Sequence, residues 1–240
     1  MNYRRILFAA SIFLICSLTT AFAGAKLDIS STTFDFGIIP QVGKVSHTYY
    51  MKSTGTDSLR ILGIKPGCGC TKAPLEKEVV APGDSTGVEL IFTSSEAYRG
   101  KTQKTATVTC NDDERGSFLL RFSAQFNTVP DSAKPIQLAP WSLEIAEGER
   151  AKELSIAVKN VSDQPLTLKM ASLPLGFLKV TLPSTPIAPN QTAAIKVQVD
   201  PKCKANAFEK SFTLECSDDQ TTHFTVPVVL GKPAAAGAGH

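Results

Sequence analysis

Slid against itself, the chain matches at an offset of 107 residues, with Ser53 falling on Asn160. Ser53-Thr54-Gly55-Thr56-Asp57-Ser58-Leu59 lies over Asn160-Val161-Ser162-Asp163-Gln164-Pro165-Leu166, and Ala81-Pro82-Gly83-Asp84-Ser85 over Ala188-Pro189-Asn190-Gln191-Thr192. With a one-residue slip, Thr107-Val108-Thr109-Cys110-Asn111-Asp112-Asp113 lies over Thr213-Leu214-Glu215-Cys216-Ser217-Asp218-Asp219. Three blocks in the same order make a tandem repeat, and a unit of about 100 residues is the size of one β-sandwich domain. Whatever this chain builds, it builds twice.

Each unit reads as short strands separated by turn signals. Val45, His47, Tyr49 and Met51 alternate with Ser46, Thr48, Tyr50 and Lys52, the period-2 signature of a half-buried strand. Leu59 to Ile64, then Val88, Leu90 and Phe92, then Ala106, Val108 and Cys110, then Phe118, Leu120 and Phe122 supply further strands. No window carries an apolar stripe of helical period with caps. The expected fold class is all-β: two tandem immunoglobulin-like antiparallel β-sandwich domains. The Cys…Trp…Cys spacing of antibody domains is missing, since Trp141 is the single tryptophan and opens the second unit.

Ahead of the repeat, Arg4 and Arg5 precede a 13-residue apolar run, Ile6 to Leu18, and Ala21-Phe22-Ala23 fits a small-x-small cleavage site. This predicts a signal peptide over 1–23, its apolar run being short of the ~18–20 residues that span a bilayer. The remaining boundaries are a first sandwich over 24–126, a linker over 127–134, a second sandwich over 135–231 and a disordered Ala/Gly-rich tail over 232–240. Removing Arg4 and Arg5 from the 25 basic residues leaves 23 against 22 acidic ones. A balance so close to neutral gives no electrostatic reason for a nucleic-acid partner, and the mature chain has no membrane span. The expected address is the periplasm or the extracellular space, where the five remaining cysteines meet an oxidising medium.

Phe34-Asp35-Phe36-Gly37, Val45-Ser46-His47-Thr48-Tyr49, Gly55-Thr56-Asp57-Ser58-Leu59, Cys68-Gly69-Cys70-Thr71 and Ala81-Pro82-Gly83 together resemble a bacterial family of secreted Ig-like domain proteins carrying a Cys-Gly-Cys-Thr motif. The resemblance covers roughly residues 28–126; the second unit keeps the framework without the motif. It implies a fold related to Hydin-type and sperm-protein-like sandwiches, which mostly serve as scaffold and binding modules. Likeness of fold implies architecture rather than chemistry.

Cys68-Gly69-Cys70 is the local feature that can carry chemistry. It follows the Leu59–Ile64 strand through Lys65-Pro66-Gly67, which places it in a loop at one end of the sandwich, with Gly69 expected to allow a bend. Three readings stand. The pair is a structural bridge or plug, since Leu175-Gly176-Phe177 occupies the same place in the second unit. Alternatively it bridges in a small strained ring that is easily reduced, and so exchanges with thiols. Or, reduced, it offers thiolates to copper or zinc. His47, placed near the loop by the return of consecutive antiparallel strands, is a candidate third member of this redox or metal site. Cys110 and Cys216 sit at matching places on inward faces and read as structural core thiols. Cys203, in Pro201-Lys202-Cys203-Lys204, reads as an exposed thiol between two cations. No Ser-His-Asp arrangement, phosphate loop or H-E-x-x-H motif occurs. Asp112-Asp113 and Asp218-Asp219 recur after the cysteines, as turn-shaping residues would.

The first functional reading is a non-catalytic envelope binding or scaffold module whose partner is an envelope protein or polymer. The alternative is thiol–disulfide exchange or soft-metal handling at Cys68 and Cys70. A carbohydrate-binding reading finds only Trp141 and a few tyrosines to stack a sugar on.

Overall fold

A computed structural model describes residues 24–129 and 132–231. The expected signal peptide, the tail over 232–240 and Pro130-Asp131 of the linker lie outside the described residues. The rest is almost wholly β, with a short 3-10 turn at Glu147–Glu149. The first unit runs β1 (Leu27–Ile29), β2 (Thr33–Pro40), β3 (Gly43–Ser53), β4 (Leu59–Pro66), β5 (Thr71–Lys72), β6 (Val79–Val80), β7 (Ser85–Ser94), β8 (Lys101–Cys110) and β9 (Ser117–Asn127). The second runs β10 (Ile136–Ala139), β11 (Leu143–Ile145), β12 (Leu154–Asn160), β13 (Leu168–Ser172), β14 (Leu178–Thr181), β15 (Thr192–Val199), β16 (Phe208–Cys216) and β17 (His223–Leu230).

The repeat is visible strand by strand. One face of the first unit is the sheet β1-β3-β7-β5, and one face of the second is β10-β12-β15-β14. The other faces also correspond: β2 pairs parallel with β9 as β11 pairs parallel with β17, and β9-β8-β4 answers β17-β16-β13. The chain is thus a tandem pair of β-sandwiches. In β8, Ala106, Val108 and Cys110 turn inward and are buried, while threonines occupy the alternate positions, as a half-buried strand requires. Phe36, Leu90, Phe92, Leu120 and Phe122 fill the first core; Ile156, Phe212, Leu214 and Phe224 fill the second. Each such side chain contributes about 1.5–3 kcal/mol by leaving water.

The two sandwiches share a sheet. Its strand order, β13-β16-β17-β2-β9-β8-β4-β6, crosses from one unit into the other between β17 and β2. The reason is a difference in length. β2 has eight residues and covers the edge of β9, whereas its counterpart β11 has three and covers only Val228, Val229 and Leu230 of β17. The first half of β17 is left as an open edge, and β2 of the other unit fills it, with Ile38 opposite Phe224. Unpaired strand edges are covered or blunted in native proteins; here one repeat covers the other.

Gly37 makes this approach possible. It sits where the β2 register shifts between Asp35 and Ile38, with φ at +62°. A Cβ there would come within 2.1 Å of the His223 carbonyl oxygen, so only glycine fits both the conformation and the contact. The bulge lets the Asp35 carbonyl accept from His223 Nδ1 at 2.7 Å and the Phe36 carbonyl accept from Thr225 Oγ1 at 2.7 Å. On the neighbouring layer the Ser46 amide donates to Ser211 Oγ at 2.9 Å, and that hydroxyl donates back to the Ser46 carbonyl at 3.2 Å. Lys210 pairs with Glu89, both side chains 15% exposed, and Lys44 pairs with Glu209.

Candidate functional site

Cys68 and Cys70 form a disulfide, with Cα atoms 5.3 Å apart. The tip that carries it is built by a change of sheet. β4 ends paired with β8, the Gly67 amide donates to the Thr105 carbonyl at 2.8 Å, and four residues later Thr71 pairs with Phe92 of β7 in the opposite sheet. The crossing is closed by the Thr71 amide donating to the Cys68 carbonyl at 3.3 Å and the Thr93 amide to the Cys70 carbonyl at 3.0 Å. Both cysteines are half-buried and Cys70 packs on the first core, while Gly69 is exposed with no atom within 4 Å of where its Cβ would stand. The chain turns at Gly69 as expected, within the Cys68–Thr71 turn, but its φ lies outside the left-handed region, so the turn does not depend on glycine there. The Thr71 hydroxyl lies 3.4 Å from Cys68 Sγ and 3.9 Å from Cys70 Sγ.

His47 is not part of this tip. It pairs with Leu90 in β3, and β7 stands between β3 and the short β5 that anchors the disulfide. Its ring stacks on Phe34 at 3.6 Å, meets Tyr49 edge-on at 4.8 Å, and shares a 3.0 Å hydrogen bond through Nδ1 with Ser172 Oγ of the second unit. Burial lowers its pKa to about 4. Consecutive strands return the chain to the same end, but β3 and β4 belong to opposite sheets, so proximity in the chain does not bring His47 to the tip. His47 serves the seam between the units. There it lines a cleft of about 430 Å³ with Tyr50, Glu76, Phe177 and Lys210.

Cys203 also differs from its expected exposure. The residue is 9% exposed and belongs to the second core. The Cys203 amide donates to the Asp200 carbonyl at 2.8 Å, and this turn tucks the thiol inward while Lys202 and Lys204 stay in solvent; Arg150 caps its carbonyl. Cys110 and Cys216 are buried in their respective units. Burial raises the pKa of the Cys110 thiol, and pushes that of Cys216 up to about 12 with Asp218 and Glu215 adding to it. Asp112 shapes its turn by accepting from the amides of Leu27, Glu114 and Arg115, at 2.6, 2.8 and 2.9 Å. With its sulfurs bonded to each other, the Cys68–Cys70 pair offers no thiolate to a metal in this state.

The residues that sequence reasoning missed are those of the seam, Gly37, Ser46, Ser211 and Thr225. One signal was available: a glycine inside the strand-like run Thr33–Pro40, which marks a bulge or a close backbone approach.

Residues 27–126 and 141–227 match the family model described as "Protein of unknown function (DUF1573)". The chain belongs to the DUF1573 family. The two DUF1573 matches fall on the two sandwiches, so the family unit is the repeated unit. No curated protein matches this chain. Among solved structures, this DUF1573 chain is similar to a protein of unknown function from Porphyromonas gingivalis, at 15% identity and a TM-score of 0.36 over 86% of this chain and 99% of that one. It is similar to the secreted serine protease VesC from Vibrio cholerae at 11% identity and a TM-score of 0.34, over 77% of this chain and 48% of that one. It therefore spans about half of that protease's length. A PapD-like domain of human CEP192 is similar at 12% identity and a TM-score of 0.33, over 54% of this chain and 98% of that one. None of these likenesses bears on function. Among the described residues, no helix is long and apolar enough to cross a membrane.

Proposed function

We propose that this chain is an exported, non-catalytic module of the bacterial envelope, in which two β-sandwiches held at a fixed angle present their tips and edges to a partner protein or polymer. The observation that carries the reading is the nine-stranded sheet that continues through both units. Domains joined only by a linker move relative to one another. Here backbone pairing, buried hydroxyl bonds and the Lys210–Glu89 pair oppose that motion, and a fixed spacing is what a scaffold needs. Export is supported by the expected signal segment and by the Cys68–Cys70 bond, since disulfides persist in oxidising compartments.

The test uses Gly37→Ala, which forces β2 and β17 apart at the His223 carbonyl. Small-angle scattering should give one compact shape for the wild type and a broader distribution for the variant. Affinity recovery from envelope extract should return a specific partner with the wild type and several-fold less of it with the variant. A wild type that recovers no specific partner, or a variant that opens yet binds equally well, overturns the reading.

A further inference from the structure

We propose that the Cys68–Cys70 disulfide is a thiol–disulfide exchange site, a two-electron acceptor for thiols outside this chain. The inference goes beyond the scaffold reading and stands or falls separately from it.

The bond adds little to the stability of the fold. It closes a ring over a single intervening residue, so it removes little freedom from the unfolded chain, and chain-entropy stabilisation grows with the length of loop closed. The molecule carries its own control. The second unit makes the same crossing, with Leu175-Gly176-Phe177 ahead of β14 where the first has Cys68-Gly69-Cys70 ahead of β5, and it folds there with no sulfur at all. A disulfide that its own repeat does without is not a staple.

Next comes access. Open space around Gly69 leaves the tip approachable. Cys110, Cys203 and Cys216 are buried, so within the described residues no thiol of the chain is placed to exchange with the pair, and the reductant comes from outside. The Thr71 backbone is held by its pairing with Phe92 and its side chain is buried. Its hydroxyl lies 3.4 and 3.9 Å from the two sulfurs, close enough to donate to whichever one leaves as thiolate.

An external thiolate attacks one sulfur of the pair, forming a mixed disulfide while the Cys68–Cys70 bond breaks. The other sulfur departs with the electron pair as a thiolate, stabilised by the Thr71 hydroxyl until it takes a proton from water. A second external thiolate attacks the external sulfur of the mixed disulfide, giving an external disulfide and releasing the remaining cysteine as a thiolate that is protonated in turn. Two external thiols are oxidised, and the pair is reduced to two thiols.

The test holds the full chain in glutathione buffers of graded potential, quenches with an alkylating agent, and reads the modified cysteines by mass spectrometry alongside circular dichroism. Cys68 and Cys70 should gain label together and reversibly, with the β signal unchanged and the buried thiols unlabelled until denaturant is added. Thr71→Val should slow exchange about fivefold, the worth of one hydrogen bond of about 1 kcal/mol. It should also move the pH profile of labelling upward, and Thr71→Ser should restore both. Cys70→Ser should trap a mixed disulfide between glutathione and Cys68. A bond that resists reduction in the folded protein, or whose reduction unfolds the first unit, overturns the proposal. A Thr71→Val variant with an unchanged rate and pH profile overturns the threonine's part in it.

Discussion

Asp112 is the clearest case of one side chain doing several jobs. It follows Cys110 at the end of β8, is 6% exposed, and accepts from three amides, one of them Leu27 of β1, 85 residues earlier. Burial alone would raise its pKa. The amides of Leu27, Arg115 and Glu114, with the Arg115 charge, outweigh burial and leave it below the usual carboxylate range. A carboxylate held low stabilises the fold above its unfolded pKa of about 3.9, and that contribution is lost as pH falls through the lower, folded value. Asp112→Ala removes a charged acceptor from three donors and should cost about 2–3 kcal/mol at neutral pH, with a smaller cost near pH 2, measured as urea midpoints. A change below about 0.5 kcal/mol at pH 7 would show that water replaces the carboxylate without penalty. The sequence already pointed to this role, because Asp218 recurs at the matching place and there bonds the Thr222 amide and hydroxyl at 2.8 and 2.6 Å. The burial of Cys203 was not legible in the same way: the lysines beside it advertise exposure, and only the Asp200 turn decides where the thiol points.

Strands were legible wherever one face meets the core and the other meets water, and illegible where both faces are covered. β8 alternates as its sequence says. β3 does not: Ser46 is 5% exposed although it sits on the outward face, because Ser211 of the other unit lies against it and satisfies its amide and carbonyl. A polar residue in an alternating strand reads as solvent-facing, and nothing local announces a second sandwich docked upon it. His47 belongs to this same stretch, and its consequence is a dependence on pH. Its folded pKa of about 4 lies below the ordinary 6.5 because burial disfavours the imidazolium. Between those values the unfolded chain binds more protons than the folded one, so stability is full above pH 6.5 and falls as pH drops toward 4, by up to about 3 kcal/mol. Urea midpoints at pH 7.5 and 4.5 should show a larger loss for the wild type than for His47→Gln, which keeps a polar group for Ser172 and cannot take the charge. The carboxylates that line the cleft, Glu76 and Glu89, are present in both proteins, so the comparison isolates the imidazole. Equal losses would mean that the ring is solvated in the native state.

At the scale of the whole molecule, the question is whether two repeats make two folding units or one. Tandem sandwiches usually have interfaces small enough for each domain to unfold on its own terms. Here β2 has one edge on β9 of its own unit and the other on β17 of the next, so losing the first sandwich uncovers the open half of β17 and takes the Ser46 backbone from Ser211 and the Glu89 carboxylate from Lys210. Each stranded buried group costs on the order of 1–3 kcal/mol, more for the charge, which is a large part of the 5–15 kcal/mol that holds a domain together. The second sandwich should therefore not outlast the first. Trp141 reports on it alone, since its indole donates to the Thr225 carbonyl at 3.1 Å and its ring packs on Phe224. Phe92 lies in the other core with no exposed surface, and Phe92→Ala should destabilise that core by about 3–5 kcal/mol. If the sheet couples the units, the wild type unfolds with one urea midpoint by tryptophan fluorescence and by far-ultraviolet circular dichroism. Phe92→Ala then lowers both together, although Trp141 touches nothing that was changed. A Trp141 midpoint that stays put while circular dichroism splits into two steps would show that the shared sheet parts more easily than either core.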